Sequence, residues 1–548
     1  MKGLMMDFPL TTHAILEYAN RVFPHKQIIS KMPDGSRHHY YFKDLYSRTK
    51  RMARALTERL GVLPTERIAT FAWNHYLHLE LYYAIPEVGA ICHTLNVRLS
   101  ADQIAFIVND ADDKVIFVDA SLVPLMEKVA EQTPGVRQYV LLNAPKNIKT
   151  TLPSFVHYED LLEAMSEAVG WAEVDENMAC AICYTSGTTG NPKAVVYSHR
   201  STYLHALTSL MPNALGMSSK DRMLVIVPLF HAMSWGAAFS GLLTGADLVF
   251  ASTNMQPASL IEILENEKIT VAIGVPTIWL GVYDALMKNK PKQKLALREF
   301  GCGGSALPKS LIEGFEKNFG IQGVHAWGMT ETSPVATVSR LQEIHLDLPE
   351  EERYQIRAKQ GVELPGVEIK LVTEEGEDVK RDGKTMGEIF IRGAWVASAY
   401  YKSADKGQQF TADGWFKTGD VATIDAQGYI QITDRTKDLI KSGGEWISSV
   451  ALENALMAHP GIQEACVIAI PHEKWVERPL ACILTRPGQL PSEVELRDFL
   501  SKEFSPYQLP DDFVFVQEIP KTSVGKFNKK ELRRMYGEGL LKNKTIDL

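Results

Sequence analysis

The most informative segment of this chain is Tyr184-Thr185-Ser186-Gly187-Thr188-Thr189-Gly190-Asn191-Pro192-Lys193. It contains four aliphatic hydroxyl groups and two glycines within ten residues, and it ends in a lysine. Glycines allow the backbone to fold closely around an anion, so that amide and hydroxyl groups can point inward. The stretch is therefore suited to holding a phosphate group.

The sequence on either side distinguishes this loop from a Walker A loop. Gly190 is not followed directly by Lys-Ser or Lys-Thr, as a Walker A motif requires. The apolar run Met178–Cys183 before the loop and the run Val195–Tyr197 after it both favour strands. The loop then joins strand to strand, so its own backbone and hydroxyl groups have to hold the phosphate. On composition alone, an ordinary hairpin loop rich in Gly, Ser and Thr remains open.

The overall composition is typical of a globular enzyme and argues against some classes of function. A length of 548 residues predicts three or four folding units, and a net charge of −8 argues against a general nucleic-acid binder. Six cysteines are few for this length and favour a reduced, cytoplasmic protein, in which Cys180 and Cys183 serve buried packing rather than zinc or redox chemistry. The N-terminus lacks a secretory apolar core, and the longest apolar stretch, residues 235–250, is too interrupted to span a bilayer.

Helix and strand patterns alternate along residues 40–330. Leu45–Leu60 and Leu77–Ile85 predict helices, whereas Arg67–Trp73 and Lys114–Val118 predict strands. This alternation predicts an α/β fold of stacked layers with largely buried sheets.

From about residue 360 the sequence changes to short strands separated by turns. Val367–Val372 and Gly387–Arg392 predict strands of a small barrel or β subdomain. We expect a large N-terminal domain, residues 1–433, and a small mobile α+β C-terminal domain, residues 434–548. In the second, helices are expected at Glu453–His459 and Glu493–Phe504, and strands at Ala465–Ile470 and Asp512–Val516.

Five further segments carry residues that suit nucleotide chemistry. Glycines at a strand end let a flat ring approach the backbone, and a carboxylate can accept hydrogen bonds from both hydroxyls of a ribose. Taken singly, the segments also fit plain turns, a surface carboxylate or a charged, solvated turn. They are Gly301–Ala306, His325–Thr332, Trp415–Asp420, Asp434–Ser448 and Lys521–Phe527.

The six segments, in this order, resemble the motifs of the adenylate-forming enzymes, which include acyl-CoA synthetases, firefly luciferase and peptide-synthetase adenylation domains. The resemblance covers nearly the whole chain. It is closest to bacterial medium- and long-chain fatty acyl-CoA synthetases and to the related methylthiopropanoate-CoA ligases. Two departures stand out, since Ala194 replaces a usual Gly and Trp327 replaces a more usual Tyr. Trp327 keeps an aromatic ring that can stack on a base, but it loses any contact that the phenol group of tyrosine would make.

The resemblance implies an ATP site built from all six segments. Trp327 would stack on adenine, Asp420 would hold the ribose, and Glu331 with Thr185 would bind Mg²⁺. Lys526 would neutralise charge on the α-phosphate, and Asp434 would be the hinge between the domains. The implied catalytic residues are Lys526, His231, Thr330 and Glu331. The implied nucleotide-binding residues are Thr185, Ser186, Gly187, Thr188, Thr189, Gly190, Lys193, Gly303, Gly304, Ser305, His325, Ala326, Trp327, Gly328, Thr330, Asp420, Arg435, Lys437, Lys441 and Trp446.

The segment Val227–Trp235 brings an imidazole and an indole four residues apart. His231 and Trp235 would share one face if the segment were helical, although a lone histidine there is more often a core residue. The resemblance implies that Trp235 gates a tunnel for the acyl chain. The implied residues of the acid pocket are His231, Trp235, Gly274, Pro276 and Pro334.

The implied reaction joins a carboxylic acid to coenzyme A at the expense of ATP, through an acyl-adenylate. Besides a fatty acid as substrate, two alternatives stay open: a short methylthioalkanoate, or an acceptor other than coenzyme A. A non-catalytic sensor is disfavoured because Lys526, Glu331 and Asp420 are all present. The expected partners are the acid, ATP, Mg²⁺ and coenzyme A, with no nucleic acid and no integral membrane segment, and the resemblance implies a homodimer.

Overall fold

The alternating patterns of the sequence produce stacked α/β layers, which confirms the predicted fold class. The structure, a computed structural model, describes residues 1, 3–167, 170–185, 192–291, 293–403, 409–435, 437–442, 445–522 and 525–541. The strands are β1 (Gln27–Lys31), β2 (Arg37–Tyr41), β3 (Arg67–Phe71), β4 (Ile91–Thr94), β5 (Asp113–Asp119), β6 (Gln138–Leu142), β7 (Phe155–His157), β8 (Ala179–Tyr184), β9 (Ala194–Ser198), β10 (Arg222–Val225), β11 (Asp247–Phe250), β12 (Val271–Gly274), β13 (Glu299–Cys302), β14 (Gln322–Gly328), β15 (Val335–Val338), β16 (Val362–Glu363), β17 (Val367–Val372), β18 (Gly387–Gly393), β19 (Phe416–Ile424), β20 (Ile430–Arg435), β21 (Ile440–Ser442), β22 (Glu445–Ile447), β23 (Ile462–His472), β24 (Val476–Thr485) and β25 (Asp512–Phe515). The α-helices are α1 (Thr12–Val22), α2 (Phe42–Glu58), α3 (Tyr76–Ala84), α4 (Ala101–Ala111), α5 (Val123–Ala130), α6 (Tyr158–Glu163), α7 (His199–Ser209), α8 (Ala237–Thr244), α9 (Pro257–Asn266), α10 (Pro276–Lys288), α11 (Lys309–Phe319), α12 (Glu350–Ala358), α13 (Ser449–Met457), α14 (Glu493–Leu500) and α15 (Lys529–Gly537).

Two large sheets form the body of the protein. One has the order β7-β6-β5-β3-β4-β8-β9, and the other has the order β16-β15-β14-β13-β12-β10-β11-β1-β2. Their central strands are parallel and buried; Ile68 and Phe71 of β3, for example, are fully buried. Parallel strands of this kind need cover on both faces, which explains their nearly continuous apolar sequence.

The predicted phosphate loop joins two antiparallel neighbours of the first sheet. β8 and β9 pair with Tyr184 opposite Ala194, so the loop is closed at its base by strand pairing. The expectation of a strand-to-strand loop is therefore confirmed, and no helix begins at its C-terminal end.

A buried asparagine ties the two large sheets together where β3 and β10 end. Nδ2 of Asn74 donates to the carbonyl oxygens of Val225 (3.2 Å) and Val227 (2.8 Å), and its Oδ1 accepts from the amide of Leu229 (2.7 Å). Buried polar groups are costly unless they are paired. This bonded asparagine therefore holds the end of β10 and the residues after it against the segment that follows β3.

The later part of the chain forms two smaller sheets. Strands β17, β18, β19 and β20 make an open antiparallel sheet, so among the described strands the predicted β subdomain is observed and the predicted barrel is not. Strands β21 to β25 form the last sheet, which packs against α13 with an apolar core of its own.

Helix α13 begins four residues before the predicted start at Glu453. The side chain of Ser448 accepts a hydrogen bond from the amide of Ala451 and so caps the helix at this earlier point. Among the described helices, none has the length and apolar character of a membrane span.

Candidate active site

A cavity of about 400 Å³ lies where the second large sheet, the open antiparallel sheet and the C-terminal region meet. It sits beyond the carboxyl ends of β13 and β14, where open α/β sheets usually bind their ligands. Most of the segments that sequence analysis selected contribute to its wall. The predicted site residues that line it are Pro276, Gly304, Ser305, His325, Ala326, Trp327, Gly328, Asp420, Asp434, Arg435 and Lys526.

Two glycines after β13 let other side chains approach the wall closely. A Cβ atom on Gly303 would lie 2.9 Å from the carbonyl oxygen of Ala326 and 3.4 Å from Cη2 of Trp235. A Cβ atom on Gly304, whose φ is +85°, would lie 3.4 Å from Cε of Lys526. The glycines therefore give room both to the indole of Trp235 and to the chain of Lys526.

The carboxylate of Asp420 is held on both of its oxygens. The indole Nε1 of Trp327 donates to Oδ2 at 2.9 Å, and Nε of Arg435 lies 3.2 Å from Oδ1. Asp420 is buried, and its negative charge is the main cause that raises the pKa of Arg435, against the opposing effect of burial. The sequence singled out all three residues but not their mutual bonds.

Glu331 is buried beside a tyrosine that sequence analysis missed. The hydroxyl of Tyr400 donates to Oε1 of Glu331 at 2.6 Å, while the hydroxyl of Tyr197 donates to the carbonyl oxygen of Thr330 at 2.6 Å. The ring of Tyr400 also lies 4.8 Å from Nζ of Lys193. Tyr400 thus links the predicted metal ligand to the lysine of the phosphate loop, although a tyrosine in a turn-rich segment gives little signal of this.

The described ends of the phosphate loop are tied to each other. The amide of Thr185 donates to the carbonyl oxygen of Lys193 at 2.8 Å, and the amide of Lys193 donates to Oγ1 of Thr185 at 3.2 Å. Nζ of Lys193 also donates to Oε1 of Gln409 at 2.9 Å. The predicted phosphate-binding residues Ser186, Gly187, Thr188, Thr189 and Gly190 lie outside the described residues.

Lys526 reaches the cavity from the C-terminal region. Its turn is closed by the amide of Thr522, which donates to the carbonyl oxygen of Lys526 at 2.7 Å. Desolvation, followed by the charge of Arg435, lowers the pKa of Lys526 to about 8, against the opposing charges of Asp420 and Glu331. An ion pair between Arg486 and Asp284, at 2.9 Å to each carboxylate oxygen, helps to hold this region against α10.

His231 and Trp235 do not lie on the face of a right-handed helix. Ala232, Met233, Ser234 and Trp235 all have positive φ values, between 43° and 56°, and form a left-handed turn. The turn is held by Oγ of Ser234, which donates to the carbonyl oxygen of Val227 at 2.7 Å. The interpretation based on helical spacing is therefore wrong, because left-handed backbone is rare for residues other than glycine and the sequence gives no sign of it.

The imidazole of His231 is held in its neutral form. Desolvation, followed by the positive charges of Lys526 and Arg98, lowers the pKa of His231 to about 3. A histidine with this pKa carries no charge near neutral pH, so it can shape a pocket or accept a hydrogen bond but cannot supply a cation.

The remaining residues predicted for the acid pocket and for the adenine site mainly contact other parts of the protein. Nδ1 of His325 lies 2.8 Å from the carbonyl oxygen of Ala358, so this ring is engaged by backbone. Gly274 ends β12, and a Cβ atom on it would lie 3.1 Å from Nε1 of Trp279. The carbonyl oxygen of Pro334 would lie 1.7 Å from a Cβ atom on Gly328, so only glycine fits there.

Seven predicted nucleotide-binding residues that the structure describes lie outside the cavity lining: Thr185, Lys193, Gly303 and Thr330, and the three C-terminal residues Lys437, Lys441 and Trp446. Nζ of Lys441 lies 4.2 Å from the ring of Trp446 and 3.8 Å from a carboxylate oxygen of Glu374. Burial is the main cause that lowers the pKa of Lys437, which also lies outside the lining. The structure therefore does not bring these three side chains to the same cavity as Lys526.

Asp434 stands at the junction between the open antiparallel sheet and the C-terminal region. It is 2% exposed, and its Oδ2 accepts from the amide of Ser449 at 2.8 Å and from the hydroxyl of the same residue. Asp434 belongs to β20, whereas Ser449 is the first residue of α13. One carboxylate thus connects the two regions at the position predicted for the hinge.

Comparison with known proteins identifies the family. The AMP-binding enzyme model matches residues 16–401, and the AMP-binding enzyme C-terminal domain model matches residues 451–526. The chain is 40% identical to a medium-chain-fatty-acid–CoA ligase of Ectopseudomonas oleovorans, over 100% of this chain and 99% of the relative. It is 41% identical to a 3-methylmercaptopropionyl-CoA ligase of Ruegeria lacuscaerulensis, over 98% and 100%. It is 43% identical to a long-chain-fatty-acid–CoA ligase of Thermus thermophilus, over 97% and 96%.

A solved structure shares the fold. The crystal structure of the anthranilate CoA ligase AuaEII in complex with anthranoyl-AMP superposes with a TM-score of 0.86, at 24% identity, over 98% of this chain and 100% of that one. The two family models together span most of the chain, and the three relatives match it over nearly its full length at more than 38% identity. The family assignment therefore rests on the whole sequence. The chain therefore belongs to the AMP-binding enzyme family.

Proposed function

We propose that the protein is an ATP-dependent acyl-CoA synthetase that activates a carboxylic acid as its adenylate and transfers the acyl group to coenzyme A. The observation that carries this proposal is the meeting of Trp327, Asp420, Arg435 and Lys526 at one cavity. It is supported by full-length relatives that are CoA ligases.

The first half-reaction uses the cavity to bind ATP and stabilise charge. Asp420 accepts hydrogen bonds from the ribose, and Trp327 stacks on adenine. A carboxylate oxygen of the acid attacks the α-phosphorus while the bond from that phosphorus to the bridging oxygen breaks, and pyrophosphate leaves with the electron pair. The ammonium of Lys526 stabilises the negative charge that develops on the α-phosphate, which is the largest single contribution in many enzymes.

The residues near the phosphate loop suit Mg²⁺. The buried carboxylate of Glu331 and the hydroxyl of Thr185 offer hard oxygen ligands, which this ion prefers. Tyr400 fixes the direction of the carboxylate by its bond to Oε1. When bound, Mg²⁺ neutralises charge on the phosphate oxygens, whereas the chain itself orients the nucleotide.

The second half-reaction requires Lys526 to leave the site. We propose that residues 434–548 form a mobile domain that turns about Asp434, relative to residues 1–433. The thiol of coenzyme A then loses its proton and attacks the carbonyl carbon of the adenylate, and AMP leaves with the electron pair of the broken C–O bond. Lys441 and Trp446, which lie away from the cavity, are available to contact coenzyme A or the nucleotide after such a turn.

Two substrate classes fit the relatives. A fatty acid is favoured by the medium-chain and long-chain ligases, and a short thioether acid by the 3-methylmercaptopropionyl-CoA ligase of similar identity. Packing of the Trp235 indole against Gly303 and Gly304 supports its role as the gate of the acyl pocket. We further propose that the protein acts in the cytoplasm, which six free, buried cysteines favour, and as a homodimer, which rests on the family resemblance alone.

The proposal is tested by measuring the two half-reactions separately. Pyrophosphate should appear with acid and ATP alone, and thioester only after coenzyme A is added. A panel of straight-chain acids of graded length, together with 3-methylthiopropanoate, then identifies the substrate class. An adenylate that reacts with a carrier-protein thiol and leaves coenzyme A unconsumed would favour the alternative acceptor, and no acid-dependent pyrophosphate at saturating acid would refute the enzyme assignment.

A further inference from the structure

We propose that the indole N–H of Trp327 is a positioning group that aims the carboxylate of Asp420 at the ribose of ATP, and thereby sets the preference of the site for ribose over deoxyribose. The inference rests on the proposed function, because it assigns Asp420 to the sugar. It adds a role for Trp327 that is separate from stacking on adenine.

The bond lies between two buried side chains from different sheets. Trp327 is on β14 of the second large sheet and is 8% exposed, whereas Asp420 is on β19 of the open antiparallel sheet and is 5% exposed. Nε1 and Oδ2 are 2.9 Å apart, which is a normal length for a charge-assisted hydrogen bond. The bond therefore fixes the carboxylate relative to the wall on which adenine would stack.

The opposite oxygen is held independently. Nε of Arg435 lies 3.2 Å from Oδ1, and Arg435 pairs with Asp420 in the register of β19 and β20. An ionised carboxylate offers about four acceptor sites, two on each oxygen. With one site taken by Trp327 and one by Arg435, each oxygen keeps a site for one hydroxyl of the ribose diol.

An indole is well suited to this position because its N–H can only donate. It cannot compete with the carboxylate as an acceptor for the ribose hydroxyls. Removing the donor would leave Oδ2 without this partner and free the carboxylate to rotate away from the diol. The resemblance leads one to expect tyrosine at position 327. The tryptophan found there supplies a hydrogen-bond donor that orients the carboxylate of Asp420.

The test compares ATP with 2′-deoxy-ATP and 3′-deoxy-ATP in acid-dependent pyrophosphate release. Trp327→Phe keeps an aromatic face but removes the donor. Trp73→Phe is the matched control, since Nε1 of Trp73 also donates a hydrogen bond, to Oγ of Ser121 at 3.2 Å, but the residue lies outside the cavity lining. Because hydrogen bonds to charged groups are worth roughly tenfold or more, we expect Trp327→Phe to lower kcat/KM for ATP about tenfold.

The decisive quantity is the ratio of kcat/KM between ATP and each deoxynucleotide. In Trp327→Phe this ratio should fall to about a third of its wild-type value or less, while Trp73→Phe leaves it unchanged. Equal losses with all three nucleotides would overturn the proposal, because they would mean that Trp327 contributes only stacking or packing.

A second variant covers the case in which Trp327→Phe does not fold. A binding measurement without acid tests the positioning role separately from the proposed reaction. Replacing Trp327 by 3-benzothienylalanine keeps the ring size and exchanges only the N–H for sulfur, so the same fall in the ratio is expected if Trp327→Phe does not fold. Calorimetric binding of ATP and the two deoxynucleotides, without acid, measures the preference when no reaction occurs. An unchanged binding preference in the benzothienyl variant refutes the positioning role, whereas a changed preference without acid-dependent pyrophosphate release refutes only the proposed reaction.

Discussion

Replacing Lys526 by alanine should separate the two half-reactions. The ammonium of Lys526 faces the same cavity as Asp420 and Arg435, and it enters that cavity from the C-terminal region. We expect Lys526→Ala to slow acid-dependent pyrophosphate release by about 10²- to 10³-fold, which is typical for the loss of one group that stabilises developing charge. Synthetic acyl-adenylate should still react with coenzyme A at within about threefold of the wild-type rate.

The lowered pKa of Lys526 shows what it costs to hold a charge at this position in the free enzyme. Lowering the pKa from 10.5 to about 8 disfavours the charged form by about 3 kcal/mol, at about 1.4 kcal/mol for each tenfold change in the ionisation equilibrium. Desolvation and the charge of Arg435 cause this penalty, and an arriving triphosphate offsets it because the phosphate is negative. The charge of Lys526 is therefore held at a cost in the free enzyme, and binding of the phosphates relieves part of that cost.

The same pKa predicts the direction of the pH dependence. In the proposed mechanism protonated Lys526 is the active form, and with a pKa of about 8 this form predominates below that pH in the free enzyme. The kcat/KM for ATP in pyrophosphate release should therefore fall as pH rises through about 8, since this quantity reports the ionisation of the free enzyme. Lys526→Arg, which stays charged, should lose this fall even if its overall rate is lower.

The control for this prediction is a lysine in the same segment. Nζ of Lys521 is paired with Oε1 of Glu464 at 2.7 Å, and Lys521 lies outside the cavity lining. Lys521→Ala should leave both half-reactions within about threefold. Equal loss of both half-reactions in Lys526→Ala, or a kcat/KM that stays flat from pH 7 to 9.5, would refute the reasoning.

Three further perturbations follow from the geometry. Trp235→Ala should change the preference among acids of graded length while KM for ATP stays within about threefold, because the indole is the proposed gate of the acyl pocket and lies outside the lining of the nucleotide cavity. Tyr400→Phe should lower pyrophosphate release about tenfold and raise the Mg²⁺ concentration needed for half-maximal rate, since a hydrogen bond to a charged group is lost. Val476→Gly should stabilise the C-terminal region by about 0.5–1 kcal/mol in urea unfolding, because the present φ of 71° is costly for a β-branched residue and the side chain is exposed.

Each of these three predictions would be contradicted by a specific result. A larger change in KM for ATP than in chain-length preference would show that Trp235 does not gate the acyl pocket. An unchanged requirement for Mg²⁺ in Tyr400→Phe would mean that the tyrosine only packs. A lower urea midpoint in Val476→Gly would show that the entropy of the unfolded glycine outweighs the relief of strain.

Much of the architecture follows from local sequence. The apolar runs on either side of residues 184–193 predict two strands, and the structure pairs them directly. The same is true of Val367–Val372, which matches β17 at both ends. These elements are predictable because hydrophobic periodicity and turn residues act over a few neighbours.

The segments that form the candidate site were predictable from the sequence, but the hydrogen bonds between their side chains were not. Trp327, Asp420 and Arg435 all stand in segments selected from the sequence, yet the bond from Trp327 to Asp420 joins residues 93 positions apart. Tyr400 gave no local signal, although its hydroxyl contacts Glu331. Contacts of this kind depend on how two sheets pack together, which no local pattern encodes.

Sequence patterns alone were enough to predict the α/β layers, a glycine-rich loop between strands and a set of nucleotide motifs in one order. The folded structure was needed to show that Trp327 donates to Asp420, that Ala232–Trp235 form a left-handed turn, and that Lys526 reaches the cavity while Lys441 does not. The two kinds of feature differ in the range over which their causes act. Strand and helix preferences arise from neighbouring residues, whereas these features arise from long-range packing, which can hold strained backbone and bring distant charges together.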